Sequence, residues 1–312
     1  MIITKEMIEK ATNNQNITGV ILVRNYGISL TKKGDEFEAG TLLSGTEIGF
    51  KAWNNSSAFS NLKAEDYTNC PVQITGKFNE FNGQMSIIID TIMAVEGFTI
   101  DQFLPVKYNI EGYWNALTQV AKQKTSEYAY SLLDRILFSN KEVSDSFKIE
   151  FAASHHHDNC KSGLLAHTFK VVNNLNHLLT SYPAIVKNKP EVQDCLFVGA
   201  ILHDLGKIRE MNLGVYQSVS RVTHRYLGAE YIAPYKDEII EHYSEDWYYN
   251  LISIILQHHG EWAEPCSTVY SYIIHKADEL DAIFTDLVEG LESPQEDPTS
   301  SKIKIDGKYL MI

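Results

Sequence analysis

The spacing of hydrophobic and polar residues changes near residue 96 and divides the chain into two parts. In the first part, apolar residues alternate with polar ones or form short β-branched runs, which is typical of strands. Asn82-Gly83 separates two of these runs and predicts a hairpin, because both residues tolerate a positive φ. Short strands with one brief helix predict a small Greek-key barrel of the OB type. The predicted strands span 17–23, 41–43, 47–53, 72–78 and 84–95, and the predicted helix spans 57–63.

From about residue 112 onward, apolar residues recur at the spacing of one face of a helix. A later stretch, 292–302, is rich in Ser, Pro, Glu and Asp and predicts a surface loop before a short strand-like end. We therefore expect an OB-like β-barrel domain at 1–96, a linker at 97–111 and an all-α domain at 112–312. The predicted helical stretches include 128–137, 164–179, 192–202, 250–256 and 271–287.

Composition bounds the class of protein. Of the 312 residues, 44% are hydrophobic and 21% are charged, which is typical of a globular chain. The net charge of −13 excludes a protein that wraps duplex DNA by phosphate neutralisation alone. It does not exclude every nucleic acid, because bound metal ions and a local Lys/Arg groove can reverse the sign of the charge locally.

The cysteines and the first residues bear on the cellular compartment. The four cysteines are widely separated, which predicts reduced thiols in the cytoplasm and neither a disulfide framework nor a Cys-based zinc site. The first ten residues lack a basic segment followed by an apolar one, so no signal peptide is expected. No run of about 18 apolar residues occurs, so no membrane span is expected.

The pair His203-Asp204 is the strongest chemical signal in the second part. It follows the apolar run 198–202, and a charged pair in that position is costly unless something binds it. The imidazole and the carboxylate can bind the same cation, and the carboxylate can also bridge to a second cation. Lys207 follows one helical turn later, where its ammonium group can face a bound phosphate.

Further potential ligands are distributed along the helical part. A single histidine is more often a core or surface residue, but several histidines and acids in one domain can surround two ions about 3.5–4 Å apart. Asp278 falls near the apolar face of its predicted helix, where a buried aspartate needs a partner. The other candidate ligands are His167, His224, His258 and His259.

Some neighbouring residues are expected to support the site without binding metal. His275 and Asp281 lie three residues to either side of Asp278, and we expect them to contact the ligands or the substrate. The run His155-His156-His157 is expected at the rim of the site, near a phosphate.

These motifs resemble the HD superfamily of metal-dependent phosphohydrolases, which has an all-helical fold. More closely, the chain resembles the YhaM-type 3′–5′ exoribonuclease family, in which an OB-fold precedes an HD domain. The resemblance covers nearly the full length and is most specific in the helical part. It departs from the family at Ala166, where an acid is usual, and at Ser162-Gly163, where two glycines are usual. The matching segments are 152–168, 199–207, 257–261, 275–282 and, in the barrel, 76–84.

The resemblance implies a two-metal mechanism. It implies one ion held by His167, His203, Asp204 and Asp278 and a second held by Asp204, His224, His258 and His259. Histidine with carboxylate ligation favours Mn²⁺, Fe²⁺ or Co²⁺, with Mg²⁺ and Zn²⁺ left open. His203, Asp204 and Lys207 would be catalytic.

The resemblance also implies a substrate, single-stranded RNA, with single-stranded DNA as a second possibility. In the helical domain, His156, His157 and His275 would contact it. An OB-fold holds single strands on exposed aromatic and cationic side chains. The expected contacts in the barrel are Arg24, Lys51 and Trp53, with Tyr26, Phe78 and Phe81 as further candidates of which at least half must be core.

Two other functions are compatible with the sequence. The chain can be a phosphohydrolase of nucleotides or cyclic nucleotide signals, with the barrel as a docking or oligomerisation module. It can also be a binding module with an inactive HD site, but every expected ligand type is present, which argues against this. Assembly into a homo-oligomer is left open.

Overall fold

The computed structural model describes residues 1–153, 158, 160–292, 302–305 and 308–311. It divides the chain into two compact units, Met1–Val106 and Lys107–Ile312. The division falls inside the predicted linker at 97–111. The predicted order of a β-barrel followed by a helical domain is confirmed.

The first unit is a five-stranded barrel with the strand order β1-β2-β3-β5-β4. The barrel closes because β4 pairs back with β1, and β3 and β5 meet in parallel over three residue pairs. A small Greek-key barrel that is nearly open along one seam is the OB arrangement. Its strands are β1 (Asn16–Leu30), β2 (Glu36–Leu43), β3 (Glu47–Trp53), β4 (Pro71–Phe81) and β5 (Gln84–Ala94), and its helices are α1 (Lys5–Glu9) and α2 (Ser57–Ala64).

Alternation of buried and exposed side chains builds the barrel core. Along β4, Val72, Ile74 and Phe78 are wholly buried, whereas their neighbours point outward. Phe78 is therefore a core residue, and its candidacy as a base-stacking residue was wrong. The strand β1 continues seven residues beyond the predicted end at Val23, because its second half pairs with β2 through mostly exposed residues that carry no apolar run.

The second unit is helical, with two short hairpins. The hairpins are formed by β6 (Met211–Asn212) with β7 (Val215–Tyr216) and by β8 (Lys302–Ile305) with β9 (Lys308–Met311). Most of the predicted surface loop at 292–302 lies outside the described residues. The helices are α3 (Ile110–Lys124), α4 (Glu127–Leu133), α5 (Lys141–Ile149), α6 (Gly163–Ser181), α7 (Pro190–Leu202), α8 (Lys207–Glu210), α9 (His224–Ile232), α10 (Lys236–His242), α11 (Glu245–Gln257) and α12 (Val269–Glu292).

Helix α7 forms the centre of this unit. All of its residues from Asp194 to Leu202 are buried, as expected of a helix that is hydrophobic around its whole circumference. It packs against α3, α4, α6, α11 and α12. Gly199 permits a close approach to α11, because an added Cβ would lie 2.4 Å from the Ile254 side chain. The C-terminus of α7 therefore delivers whatever follows it into the middle of the domain.

Within the described residues, no helix combines the length and the apolar character that a membrane span requires.

A substitution at Gly76 tests how closely β4 and β5 must pack in the barrel. This glycine lies where the β4–β5 register shifts, and a Cβ at this position would lie 2.2 Å from the Ile88 carbonyl oxygen. We expect Gly76→Ala to destabilise the barrel by about 1–3 kcal/mol, because backbone must move to admit the methyl group. Hydrogen–deuterium exchange of β4 and β5 peptides measures this. Gly27→Ala is the matched control, because nothing lies within 4 Å of its added Cβ; equal protection in both variants would contradict the account.

Candidate metal centre

Five segments of the helical unit bring histidines and aspartates to one place. The C-terminus of α7 supplies His203 and Asp204, and the C-terminus of α11 supplies His258 and His259. The first turns of α6 supply His167, the first residue of α9 is His224, and α12 supplies Asp278. His203 and His258 are wholly buried, and Asp204 is 1% exposed.

Asp204 lies at the centre of this group. Its Oδ2 is 3.4 Å from Nε2 of His167 and 3.4 Å from Nε2 of His203. Its Oδ1 is 3.4 Å from Nε2 of His258 and 3.5 Å from Nε2 of His224. The two oxygens of one carboxylate thus face two separate sets of imidazole nitrogens.

Each set contains a further potential ligand. On the first side, Nε2 of His167 is 3.2 Å from Nε2 of His203 and 3.2 Å from Asp278 Oδ1. On the second side, Nε2 of His224 is 3.0 Å from Nε2 of His259. Imidazole nitrogens and carboxylate oxygens at these distances can bind one metal ion together. When no ion is bound, they can form hydrogen bonds to one another. Two such sets that share one carboxylate match the bridged arrangement expected from the sequence.

Hydrogen bonds from Nδ1 orient four of the rings so that Nε2 faces Asp204. His203 and His258 donate from Nδ1 to the carbonyls of Ala200 and Ile255, at 2.8 and 2.9 Å. A carbonyl oxygen only accepts, so these Nδ1 atoms carry a hydrogen, and the Nε2 atoms of both rings face Asp204. Nδ1 of His167 and Nδ1 of His224 donate to carboxylates. Such partners orient metal-binding histidines.

Glu210 holds His224 and was not identified from the sequence. Its Oε2 accepts from His224 Nδ1 at 2.8 Å, and its Oε1 accepts from the His224 backbone N–H at 3.0 Å. Gly206 lets the two segments meet, because a Cβ there would lie 1.9 Å from the His224 carbonyl oxygen. In sequence, Glu210 resembles any acid in a short polar helix. Only its burial distinguishes it.

Asp281 holds His167, as its position three residues after Asp278 suggested. Its Oδ2 accepts from His167 Nδ1 at 2.7 Å, and its side chain is 3% exposed. His275, by contrast, was expected to contact substrate. The structure places its Nδ1 2.7 Å from the His258 carbonyl oxygen, where the ring is nearly buried and supports the end of α11.

The unpaired polar atoms fit a divalent cation. Asp204 Oδ1 and His258 Nε2 are buried and make no hydrogen bond to any of the described residues. A buried polar atom without a partner costs free energy, and a buried carboxylate costs more. A cation between these atoms would satisfy both of them, and borderline metal ions take this combination of nitrogen and carboxylate ligands.

The protonation states are consistent with such a site. Burial lowers the pKa of His258 to about 4 and that of His259 to about 2, so both rings are neutral near pH 7. Burial alone would raise the pKa of Asp204, but Lys207 and His203 hold it well below its usual range. Burial also opposes protonation of His167, but Asp204, Asp278 and Asp281 raise its pKa well above its usual value. Without a cation, these carboxylates therefore retain a proton on His167.

Lys207 contacts the central carboxylate. Its Nζ is 2.6 Å from Asp204 Oδ2, and its side chain is 12% exposed. Burial would lower the pKa of Lys207, but Asp204 raises it above the usual value, so the ammonium group stays charged. This places a fixed positive charge at the edge of the centre.

The remaining predicted site residues belong either to the barrel unit or to a segment that the structure does not describe. His156 and His157 fall outside the described residues. Lys51 lines a groove of about 530 Å³ on the outer face of the barrel, and Phe81 lines it too. Trp53 packs on Phe37 with ring centroids 4.9 Å apart, beside Lys51. Arg24 does not line this groove; its Nη1 donates to Asn69.

Glu210→Gln tests how His224 is held. An amide has one acceptor oxygen where the carboxylate has two, so one of the two bonds to His224 is lost. We expect the metal affinity of the second set to fall about 10–100-fold. Equilibrium titration of the metal-free protein with Mn²⁺ measures this. Glu230→Gln is the control, because Glu230 is about 40% exposed and pairs with Arg209; an equal affinity in both variants would refute the assigned role.

Known proteins resemble this chain in the helical unit and over most of its length. The HD domain model matches residues 164–283. The chain is 27% identical to the 3′-5′ exoribonuclease YhaM of Shouchella clausii, over 74% of this chain and 73% of that protein. It is 25% identical to the YhaM of Oceanobacillus iheyensis, over 91% and 89%. The YhaM of Bacillus subtilis is 26% identical, over 71% of both.

Solved structures were compared as well. The second OB-fold domain of replication protein A from Methanococcus maripaludis is 16% identical, covers 30% of this chain and 95% of that domain, and has a TM-score of 0.22. The OB assignment rests on the strand order and pairing described above and not on this likeness. The resemblance predicted from the sequence is confirmed. The chain is a hydrolytic enzyme of phosphodiesterase type that carries an HD domain and is similar over most of its length to the YhaM exoribonucleases.

Proposed function

We propose that this chain is a metal-dependent 3′–5′ exonuclease that hydrolyses single-stranded RNA, with single-stranded DNA as a second substrate. The observation that carries the proposal is the position of Asp204, whose two oxygens face two sets of imidazole nitrogens. This arrangement supports two divalent ions that share one carboxylate. Two-metal sites of this kind suit in-line displacement at phosphorus.

Different residues of the chain would bind the metal ions and supply the positive charge beside them. His167, His203, Asp204 and Asp278 would hold one ion, and Asp204, His224, His258 and His259 would hold the other. When bound, such ions polarise a phosphoryl oxygen and make water a better nucleophile. Lys207 supplies a fixed positive charge beside Asp204, where it can stabilise negative charge on the phosphoryl oxygens.

The ligand types favour one class of metal. Imidazole nitrogen suits Mn²⁺, Fe²⁺ and Co²⁺ better than Mg²⁺, which prefers oxygen ligands and retained water. We therefore propose that the enzyme works with Mn²⁺ or a similar ion, two per site.

The groove on the barrel supports a polymeric substrate. OB-folds bind oligonucleotides on the face formed by their second and third strands and in the adjoining loops. On this face Lys51 lies 5.9 Å from the ring centroid of Phe37 and 5.9 Å from that of Phe81. Phe81 is 64% exposed and adjoins the Asn82-Gly83 turn. An exposed aromatic ring beside a lysine can stack a base and contact a phosphate.

The names of the relatives support the proposed direction and substrate. These relatives are named 3′-5′ exoribonucleases, and the chain covers about 70–90% of the three described above. Because the HD domain match at residues 164–283 contains all of the metal-centre residues, we extend this activity to the chain.

A 5′-labelled oligoribonucleotide with Mn²⁺ tests the activity. We expect a ladder of shortened products that keep the label, which identifies digestion from the 3′ end. Removing metal with EDTA is expected to stop digestion, and Mn²⁺ is expected to restore it better than Mg²⁺. Asp204→Asn should lower the rate by roughly a hundredfold or more, because the shared charge is lost. Asp246→Asn, an exposed acid in α11, is the control.

The same assay separates the competing function. An intact oligomer, alongside hydrolysed mononucleotides or cyclic dinucleotides, would contradict the exonuclease and favour a small-molecule phosphohydrolase. Immediate release of the labelled nucleotide would contradict the 3′–5′ direction. Parallel oligodeoxyribonucleotides decide between RNA and DNA.

Phe81→Ala tests the groove. Loss of one stacked base is expected to cost about 1–3 kcal/mol. KM for a long oligonucleotide should therefore rise roughly five- to hundredfold, with kcat little changed. Met93→Ala is the control, because Met93 is 59% exposed and does not line the groove. Equal KM values in the two variants would exclude Phe81 from substrate binding.

A further inference from the structure

A lysine on α6 lies between two buried carboxylates behind the metal centre. Lys170 Nζ is 2.8 Å from Asp158 Oδ2 and 3.4 Å from Asp281 Oδ1. The side chains of Asp158 and Asp281 are 0% and 3% exposed. Neither the sequence patterns nor the comparisons assign a role to Lys170 or Asp158.

This cluster has the composition of a metal site but contains its own cation. Asp158, His167 and Asp281 offer ligand atoms that all lie within 4.8 Å of one another. Two buried carboxylates this close repel each other unless a positive charge is present. The ammonium group of Lys170 contacts both carboxylates and supplies that charge.

The bonds of Asp281 fix its orientation. Its Oδ2 accepts from His167 Nδ1 at 2.7 Å. Its Oδ1 faces Lys170 and also accepts from the Thr285 hydroxyl at 3.1 Å, while Lys170 donates to the same hydroxyl at 2.9 Å. With both oxygens engaged, the carboxylate cannot turn without breaking one of these contacts. The ring of His167 is held in turn, with Nε2 directed to Asp204 and Asp278.

Asp158 gives the lysine a fixed anchor. Its Oδ1 accepts from the Tyr108 hydroxyl, and its backbone carbonyl accepts from the Ala152 N–H at 3.2 Å. Asp158 itself adopts a left-handed backbone with φ of 58°. Asp158 lies directly against the start of α6, because a Cβ at Gly163 would lie 1.9 Å from the Asp158 carbonyl oxygen. Lys170 is therefore paired with Asp158 on one side and with Asp281 on the other.

We propose that Lys170 is a positioning residue for the metal centre, which bridges Asp158 and Asp281 and thereby orients His167 toward the first ion. Lys170 does not contact the metal or the substrate in this scheme. The inference deepens the proposed function and rests on the metal site described there.

Removing the charge of Lys170 distinguishes two roles for this residue. It either positions His167 or only repels the metal ion. If Lys170 acted only as a nearby positive charge, its removal would strengthen metal binding, because like charges repel. If Lys170 positions His167 through Asp281, its removal lets the carboxylates move apart and weakens binding. The sign of the change therefore decides between the two roles.

The experiment compares full-length wild type with Lys170→Met, which keeps the length of the side chain but not its charge. Mn²⁺ binding to the metal-free proteins is followed by the electron paramagnetic resonance signal of the free ion. We expect one of the two sites to weaken about 10–100-fold, the range for residues that support a ligand. The NMR signal of the His167 Nδ1 proton, assigned by its loss in His167→Gln, should also shift in metal-free Lys170→Met.

Lys276→Met is the matched control. Lys276 lies on α12 and pairs with the surface acid Glu279 at 2.7 Å, with both side chains about 40% exposed. It should keep wild-type affinity and an unshifted His167 signal. Unchanged or tighter Mn²⁺ binding in Lys170→Met, with the His167 signal in place, would overturn the inference and leave the proposed function standing. Wild type that binds no Mn²⁺ would overturn both.

Thr285→Val provides a second variant if Lys170→Met does not fold. It removes the hydroxyl that accepts from Lys170 and donates to Asp281. Positioning predicts a smaller loss of affinity in the same direction, roughly two- to tenfold, the size expected for one hydrogen bond. Wild-type Mn²⁺ affinity and an unshifted His167 signal in Thr285→Val would contradict the positioning role of Lys170.

Discussion

The helical unit depends on the burial of one carboxylate, that of Asp204. A charge in a protein interior must be paired, and neither oxygen of Asp204 can reach water freely because the side chain is 1% exposed. Lys207 contacts one oxygen, while the other faces Nε2 of His224 and Nε2 of His258, and burial keeps the His258 ring neutral near pH 7. The apolar helix α7 forces this burial, since its packing carries the following residues into the domain centre. The surrounding histidines place nitrogen atoms beside this carboxylate, so that a cation bound there can balance its charge.

Two different devices hold those histidines in the tautomer that ligation requires. His203 and His258 each follow an apolar helix and bind a carbonyl three residues earlier. Carbonyls near a helix C-terminus lack partners in the helix, so each ring caps its helix while it presents Nε2. His167 and His224 lie at helix N-terminal turns, where no such carbonyl is available. They depend on Asp281 and Glu210, which are distant in sequence or in another helix.

The barrel is stabilised in a different way from the helical unit. Its core comes from the alternation of side chains along each strand, so the outward residues are free to vary. With a net charge of −13 on the whole chain, long-range attraction cannot supply affinity for a polyanion. Local features must supply it, and the groove beside Lys51 and Phe81 combines a cation with an exposed aromatic ring. Phe78 shows the limit of composition as a guide, because an aromatic residue in so small a barrel is as readily core as contact surface.

The sequence by itself determined two kinds of feature: elements with a periodic pattern of apolar residues, and charged residues whose burial is costly in free energy. Alternation gave the strands, helical spacing gave the helices, and a His-Asp pair after an apolar run predicted a buried ligand. The convergence of His167, His224, His259 and Asp278 on that pair needed the tertiary structure, because packing of separate helices sets the distances. Glu210 and Lys170 could not be recognised in the sequence. Charged residues on short or amphipathic helices are normally solvated, and only the packing of α6, α8, α9 and α12 brings these two against their partners.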